Sequence, residues 1–109
     1  MKISIITAFP ELMRSYLAAS VLGRGIAAGK LDVEVIDIRD FAEGDYRQID
    51  DYCYGSGGMM LMAEPLAKAL ASVSAETKPY VVYPSPQGTH LYQELVEDLS
   101  RKENLVIIC

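Results

Sequence analysis

Apolar residues along the chain alternate between two spacings, and each change of spacing marks a change of element. Residues 2–7 (KISIIT) are a short, isoleucine-rich run, which suits a buried strand. Phe9-Pro10-Glu11 then opens a helical stretch, with proline at a first helical position. Ser20 is placed to cap a second short helix over 21–28, and Gly29 to close it. Residues 31–38 (LDVEVIDI) set Val33 and Val35 on one side and predict a second strand. Alanine and leucine at helical spacing predict a helix over 64–75, and 80–83 a third strand. Thr89 is placed to cap a helix over 91–101, with Leu91, Leu95 and Leu99 along one face. Residues 105–109 (LVIIC) form a fourth apolar run. Strands alternating with helices predict an α/β fold. Its sheet is parallel, joined by right-handed crossovers, and flanked by helices within one domain over residues 1–109.

Residues 40–60 break both periods. A connection of about 20 residues is long for a compact domain and points to function or disorder. In a parallel sheet, ligands gather beyond the carboxyl ends of strands, where this connection and the one after residue 83 both lie.

Composition narrows the chemistry. Half of the 109 residues are hydrophobic and 23% are charged, which is globular rather than disordered. The net charge of −5 argues against simple electrostatic binding of nucleic acid by this chain alone. Two cysteines, Cys53 and Cys109, exclude a disulfide framework and a multi-thiolate zinc site. They read as a loop thiol and a strand-packing residue. A single histidine, His90, disfavours a histidine metal site or a Ser/His/Asp triad and reads as a surface residue at a helix start. No metal is expected. No run reaches the roughly 20 apolar residues of a membrane span, and the N-terminal run lacks a signal peptide's length and cleavage site. The expectation is a soluble, cytoplasmic protein with no membrane partner. The last five residues are apolar and stop without a polar tail, so the chain reads as truncated after its fourth strand.

Two segments carry candidate chemistry. In Tyr83-Pro84-Ser85-Pro86-Gln87-Gly88, two prolines fix φ and remove two amide donors, while the glycine permits a tight turn. Such a stiff loop can present a fixed polar edge to a flat ligand such as adenine. It can equally be a rigid strand-to-helix turn with no ligand. In residues 47–60, three glycines in four positions (Gly55, Gly57, Gly58) let backbone approach a ligand closely. Arg47 and Tyr54 can grip or stack on a nucleotide, and Asp50 and Asp51 can accept hydrogen bonds from a base edge. A polar loop with solvated acids is the other reading. The segment is neither a phosphate-binding P-loop nor a dinucleotide fingerprint, since neither spacing is present. Met59, Met60 and Met62 suit gap-filling against the next helix, or a soft ligand surface.

Taken together in order, these segments resemble the bacterial tRNA (guanine-N1)-methyltransferases of the SPOUT trefoil-knot family, in their N-terminal portion. ITAFPELM looks like that family's opening strand and turn, and Arg39-Asp40-Phe41 matches its RDF. Residues 47–60 follow its HRTVDDxPYGGGxGM pattern, and Tyr83 to Gly88 its YLSPQG. The chain departs from the pattern at Tyr46, Cys53, Ser56, Gly58, Met59 and Pro84; the last removes a backbone N–H where leucine is usual. The resemblance implies transfer of a methyl group from S-adenosyl-L-methionine to N1 of the guanosine 3′ of the anticodon, position 37 of tRNA. It also implies a homodimer with sites at the subunit interface. Tyr83, Pro84, Ser85, Pro86, Gln87 and Gly88 would wall the donor pocket. Arg47, Asp50, Tyr54, Gly55, Gly57 and Gly58 would lie at the target guanine. The family's knot, its proposed aspartate base and its RNA-binding domain correspond to sequence beyond residue 109. No catalytic residue is therefore assigned here, and Asp50 is the one substitute base available. On this reading the chain is a fragment inactive alone. The alternatives are a small, non-catalytic nucleotide-binding or interaction module, and a truncated chain that persists as a dimer.

Overall fold

The strand formed by residues 2–7 lies between two others, and the rest of the chain is arranged around it. The computed structural model describes residues 1–42, 50–52, 59–61, 63–74 and 76–109, with only the backbone of 50–52 and 59–61. In chain order these form β1 (Lys2–Thr7), α1 (Pro10–Leu17), α2 (Ser20–Ala27) and β2 (Asp32–Asp37). A 3-10 turn over Ile38–Phe41 follows, then β3 (Asp50–Tyr52), β4 (Met59–Leu61) and α3 (Ala63–Ser72). The chain closes with β5 (Tyr80–Val82), α4 (Gln93–Ser100) and β6 (Asn104–Ile108). The main sheet has the order β2-β1-β6-β5, and every pairing in it is parallel. Helices flank it, as the alternating pattern predicts.

The register explains the two faces. Ile6 lies opposite Ile36 on one side and Ile108 on the other, and Ser4 lies opposite Val106. Ile6, Val106 and Ile108 are buried with Ile38 of the 3-10 turn and Ala69 of α3. Phe41, Leu66, Leu70 and Val73 complete that layer. On the opposite face lie Ile5 and Leu105, both buried. On the same face, Val33 and Val35 of β2 border a cleft with Leu17 of α1 and Ile26 of α2. Asn104 ties the layers at the amino end of the sheet: its Nδ2 donates to the carbonyls of Val73 (3.3 Å) and Thr77 (3.0 Å).

Several boundaries differ from expectation. The helix over 64–75 ends at Ser72, where the Ser72 and Ser74 hydroxyls donate to the carbonyls of Ala69 and Leu70. Such local hydroxyl-to-carbonyl bonds compete with helix continuation. Thr89 does not cap α4: that helix begins at Gln93, after Tyr92 in extended backbone (φ −130°, ψ 166°) and without a side-chain cap. Leu91 therefore precedes the helix, and His90 is exposed in the segment before it. Ser20 is not a cap either. Ala19 takes that position, and Ser20 enters α2 at φ 52°, in the left-handed region. Gly29 does close α2, at φ 75°. Its N–H donates to the Ile26 carbonyl, and the next N–H, of Lys30, to that of Gly25, both at 3.0 Å. This pair of bonds is the Schellman closure, which satisfies two orphan helix carbonyls. Cys109 is exposed just past β6 rather than packed in it. Cys53 lies outside the described residues.

The elbow between α1 and α2 is tight at one glycine. A Cβ on Gly23 would meet the Ala18 carbonyl oxygen at 2.4 Å, whereas one on Gly25 would meet only Leu31 Cδ1, at 3.8 Å. Two alanine substitutions in one helix should therefore have opposite signs. Gly23→Ala is expected to cost about 1–3 kcal/mol by forcing the backbone apart. Gly25→Ala is expected to gain about 0.5–1 kcal/mol by removing backbone freedom from the unfolded chain. Urea unfolding of the two variants beside the parent chain measures both.

Candidate functional site

The carboxyl ends of the parallel strands meet along one rim. After β1, the Phe9 N–H donates to Thr7 Oγ1 at 3.0 Å, which turns the chain into α1. After β2, the Arg39 N–H donates to Asp37 Oδ1 at 2.9 Å, which starts the 3-10 turn. The Arg39 guanidinium reaches across and donates to the Ala8 carbonyl. Arg39 thus clasps the exits of two neighbouring strands, a use that the RDF match alone does not reveal. After β6, the Cys109 N–H donates to the Ile6 carbonyl at 2.8 Å, extending the pairing with β1.

After β5 the rim carries the proline loop. Tyr83 lies just outside the strand and is 69% exposed. Pro84 and Pro86 have no N–H. The Gln87 N–H donates to Ser85 Oγ at 3.2 Å, and the Gly88 N–H donates to the Ser85 carbonyl at 3.1 Å. Ser85 therefore organises the turn from both its side chain and its backbone. This loop forms one side of a groove of about 620 Å³, whose other sides are β5, residues 89–91 and α4. Leu95 and Leu99 of α4, together with Leu91, line it. Their spacing puts them on one face, and in the structure that face borders an open groove. The volume falls in the range of small-molecule sites. A stiff polar loop against an apolar floor suits a flat ring with polar edges. Of the predicted cofactor residues, Tyr83, Pro84, Ser85, Pro86 and Gly88 line the groove, while Gln87 contributes its N–H to the turn.

The second candidate segment is only partly described. Asp50 lies on β3, which pairs antiparallel with β4: Asp50 opposite Leu61, Asp51 opposite Met60, Tyr52 opposite Met59. Sequence reasoning took 40–60 as irregular and missed this ladder, since three-residue strands are too short to show a period. Arg47, Tyr54, Gly55, Gly57 and Gly58 lie outside the described residues. Among the described residues no cluster of histidine, cysteine, aspartate or glutamate could hold a metal ion. None of the described helices is long and apolar enough to cross a membrane.

Comparison with known proteins gives this geometry its context. The family model described as tRNA (Guanine-1)-methyltransferase TrmD matches residues 1–109. A tRNA (guanine-N(1)-)-methyltransferase of Mycoplasma capricolum is 44% identical over 100% of this chain and 46% of its own length. One of Ruminiclostridium cellulolyticum is 38% identical over 100% of this chain and 48% of its own. The crystal structure of tRNA (m1G37) methyltransferase from Aquifex aeolicus superposes with a TM-score of 0.87 at 35% identity. That match covers 100% of this chain and 50% of the Aquifex chain. The chain spans about half the length of the curated relatives it matches, as an N-terminal portion of a SPOUT methyltransferase does. A match that runs from the first residue to the last, in sequence and in fold alike, means that the chain belongs to the tRNA (Guanine-1)-methyltransferase TrmD family.

Proposed function

We propose that this chain takes part in methyl transfer from S-adenosyl-L-methionine to N1 of the guanosine 3′ of the anticodon, position 37 of tRNA. The observation that carries the reading is the family match along all of residues 1–109. The groove beside Tyr83 to Gly88 supports it, because its size and apolar floor fit an adenosine-bearing donor.

The chemistry assigns work to particular residues. N1 of guanine carries a proton and is a weak nucleophile, so transfer needs a base and a donor held in line. S-adenosyl-L-methionine, when bound, supplies an electrophilic methyl group. Residues 83–88 hold the donor's adenosine portion against Leu95 and Leu99. The loop's stiffness, set by two prolines and the Ser85 bonds, keeps that wall in place without reorganisation. Arg47 and Asp50 meet the guanine edge, where positive charge near O6 stabilises the anion that forms as N1 loses its proton. Tyr54, Gly55, Gly57 and Gly58 let the chain approach the base closely. The base that takes the N1 proton is supplied from outside residues 1–109, so this chain binds the donor without turnover. Its place of work is the bacterial cytoplasm, where tRNA is found.

A second copy completes the site. Phe9, Leu12 and Tyr16 stand at i, i+3 and i+7 on and just before α1, exposed by 64, 64 and 72%. An apolar stripe of this kind marks an interaction surface. It begins at Phe9, two residues past β1, so a partner on it lies beside the rim.

Calorimetry tests the donor assignment. S-adenosylhomocysteine should bind the 109-residue chain, and Leu95→Trp, which fills the groove, should weaken it by at least about tenfold, or 1.4 kcal/mol. Absence of binding to a folded parent chain, or methylation of tRNA by that chain alone, would contradict the proposal. Sedimentation equilibrium tests the second copy: the parent chain should self-associate and Leu12→Lys should shift it toward monomer by at least about tenfold in dissociation constant. A monomeric parent at high micromolar concentration excludes that surface.

A further inference from the structure

At the amino end of β5, away from the rim, cations gather. A net charge of −5 gives the chain no general attraction for a polyanion, so any contact with one has to be local. Lys78, Arg101 and Lys102 line a cleft of about 400 Å³, and Glu103 is the one acid among the described residues that line it. Lys78 and Lys102 have no carboxylate partner among the described residues. Lys102 is held instead by an aromatic ring: its Nζ lies 4.6 Å from the centroid of Tyr80, which is 46% exposed. Arg101 pairs with Asp98 at 2.8 Å, but both side chains are largely exposed, and such a surface pair is given up at little cost.

The carbonyls that would repel an anion here are occupied. α4 ends at this cleft, and the carboxyl end of a helix carries negative partial charge. There Ser100 Oγ donates to the Glu97 carbonyl at 2.6 Å, and the N–H groups of Arg101 and Lys102 donate to those of Asp98 (3.2 Å) and Leu99 (3.1 Å). Asn104 Nδ2 covers the Thr77 carbonyl in the same way. What remains is two ammonium groups without a carboxylate, a guanidinium in a weak pair and a half-exposed tyrosine. Cations beside an exposed ring suit single-stranded nucleic acid, with charge for the phosphates and a π surface for a base. The cleft opens at one end of β5 and the proline loop at the other. Three residues of strand put about 10 Å between Tyr80 and Tyr83, roughly three nucleotides of a stacked strand.

We propose that the Lys78–Arg101–Lys102 cleft binds the sugar-phosphate backbone of RNA and holds a strand whose neighbouring nucleotides reach the rim. The choice of RNA among polyanions rests on the methyl-transfer reading; the grouping of cations stands apart from it.

Fluorescence anisotropy of labelled tRNA at low salt tests this on the 109-residue chain. Lys78→Gln with Lys102→Gln removes two charges from the cleft. Arg24→Gln with Lys30→Gln removes two from the end of α2, where neither cation has a carboxylate partner among the described residues. The cleft pair should weaken binding at least about tenfold and flatten the slope of log K against log salt by about 1.4, while the α2 pair costs under about threefold. Potassium phosphate should displace the RNA no better than potassium chloride of equal ionic strength. Both pairs should bind S-adenosylhomocysteine as the parent does. Equal losses in the two pairs overturn the cleft, and so does a parent that binds S-adenosylhomocysteine but no RNA. A clear excess of displacement by phosphate marks a small-anion site and overturns RNA as the occupant. RNA bound through the cleft by a chain that does not take S-adenosylhomocysteine overturns the donor reading and leaves the cleft. A folded chain that binds neither overturns both.

Discussion

The pairing of Lys2–Ile6 with Asn104–Ile108 is the constraint on which the rest depends. It joins residues about a hundred positions apart, and closing so long a loop costs entropy that local contacts do not repay. The return comes from burial: Ile6, Val106 and Ile108 pack with Ile38 and Ala69 only when β1 and β6 are side by side. The hydrogen bonds from Lys2 N to the Glu103 carbonyl (2.9 Å) and from Cys109 N to the Ile6 carbonyl (2.8 Å) fix its two ends. With β1 paired on both sides, a one-residue slip of either neighbour would turn its buried side chains to the other face. Register and core are thus one decision.

That decision also sets the site. Parallel strands in register end at one rim, so Ala8, Arg39, Tyr83 and Cys109 arrive together from four separate stretches of sequence. The chain runs from β1 outward to β2, then crosses to the far edge at β5 and returns through β6. Among the described residues β5 pairs on one side only, and α4 stands beside it. The groove is the space between them. A loop that must serve as one wall of that groove cannot rely on neighbouring elements for stiffness. Its prolines and the two bonds onto Ser85 supply it internally.

Much of this is legible in the sequence, and the failures have identifiable causes. The four main strands and the parallel sheet follow from isoleucine- and valine-rich runs separated by helical spacing. The β3–β4 ladder does not, because three residues cannot display a period and the pairing is decided by what the strands meet. Leu91, Leu95 and Leu99 show a second limit. Their spacing says that they share a face; it does not say whether another element covers that face. Ser20 shows a third: it is a good capping residue, but the chain spends it on the left-handed turn between two helices. The proline loop is legible as stiff, since Pro84 and Pro86 act through covalent geometry. How its amides are used is only half legible, because the bonds that occupy the Gln87 and Gly88 amides depend on the folded turn.

The charge balance then has a structural reading. The chain has 10 lysines and arginines against 15 acids. Several of those cations are already paired within it: Lys2 with Glu34, Arg14 with Glu11, Lys68 with Glu64, Arg101 with Asp98. Lys102 lies over the Tyr80 ring at 4.6 Å. Binding to a nucleic-acid backbone requires cations that can replace counterions at the phosphates, and cations in such pairs must first leave a carboxylate. The groove beside β5 has no lysine or arginine among the described residues that line it, so it adds no countercharge of that kind.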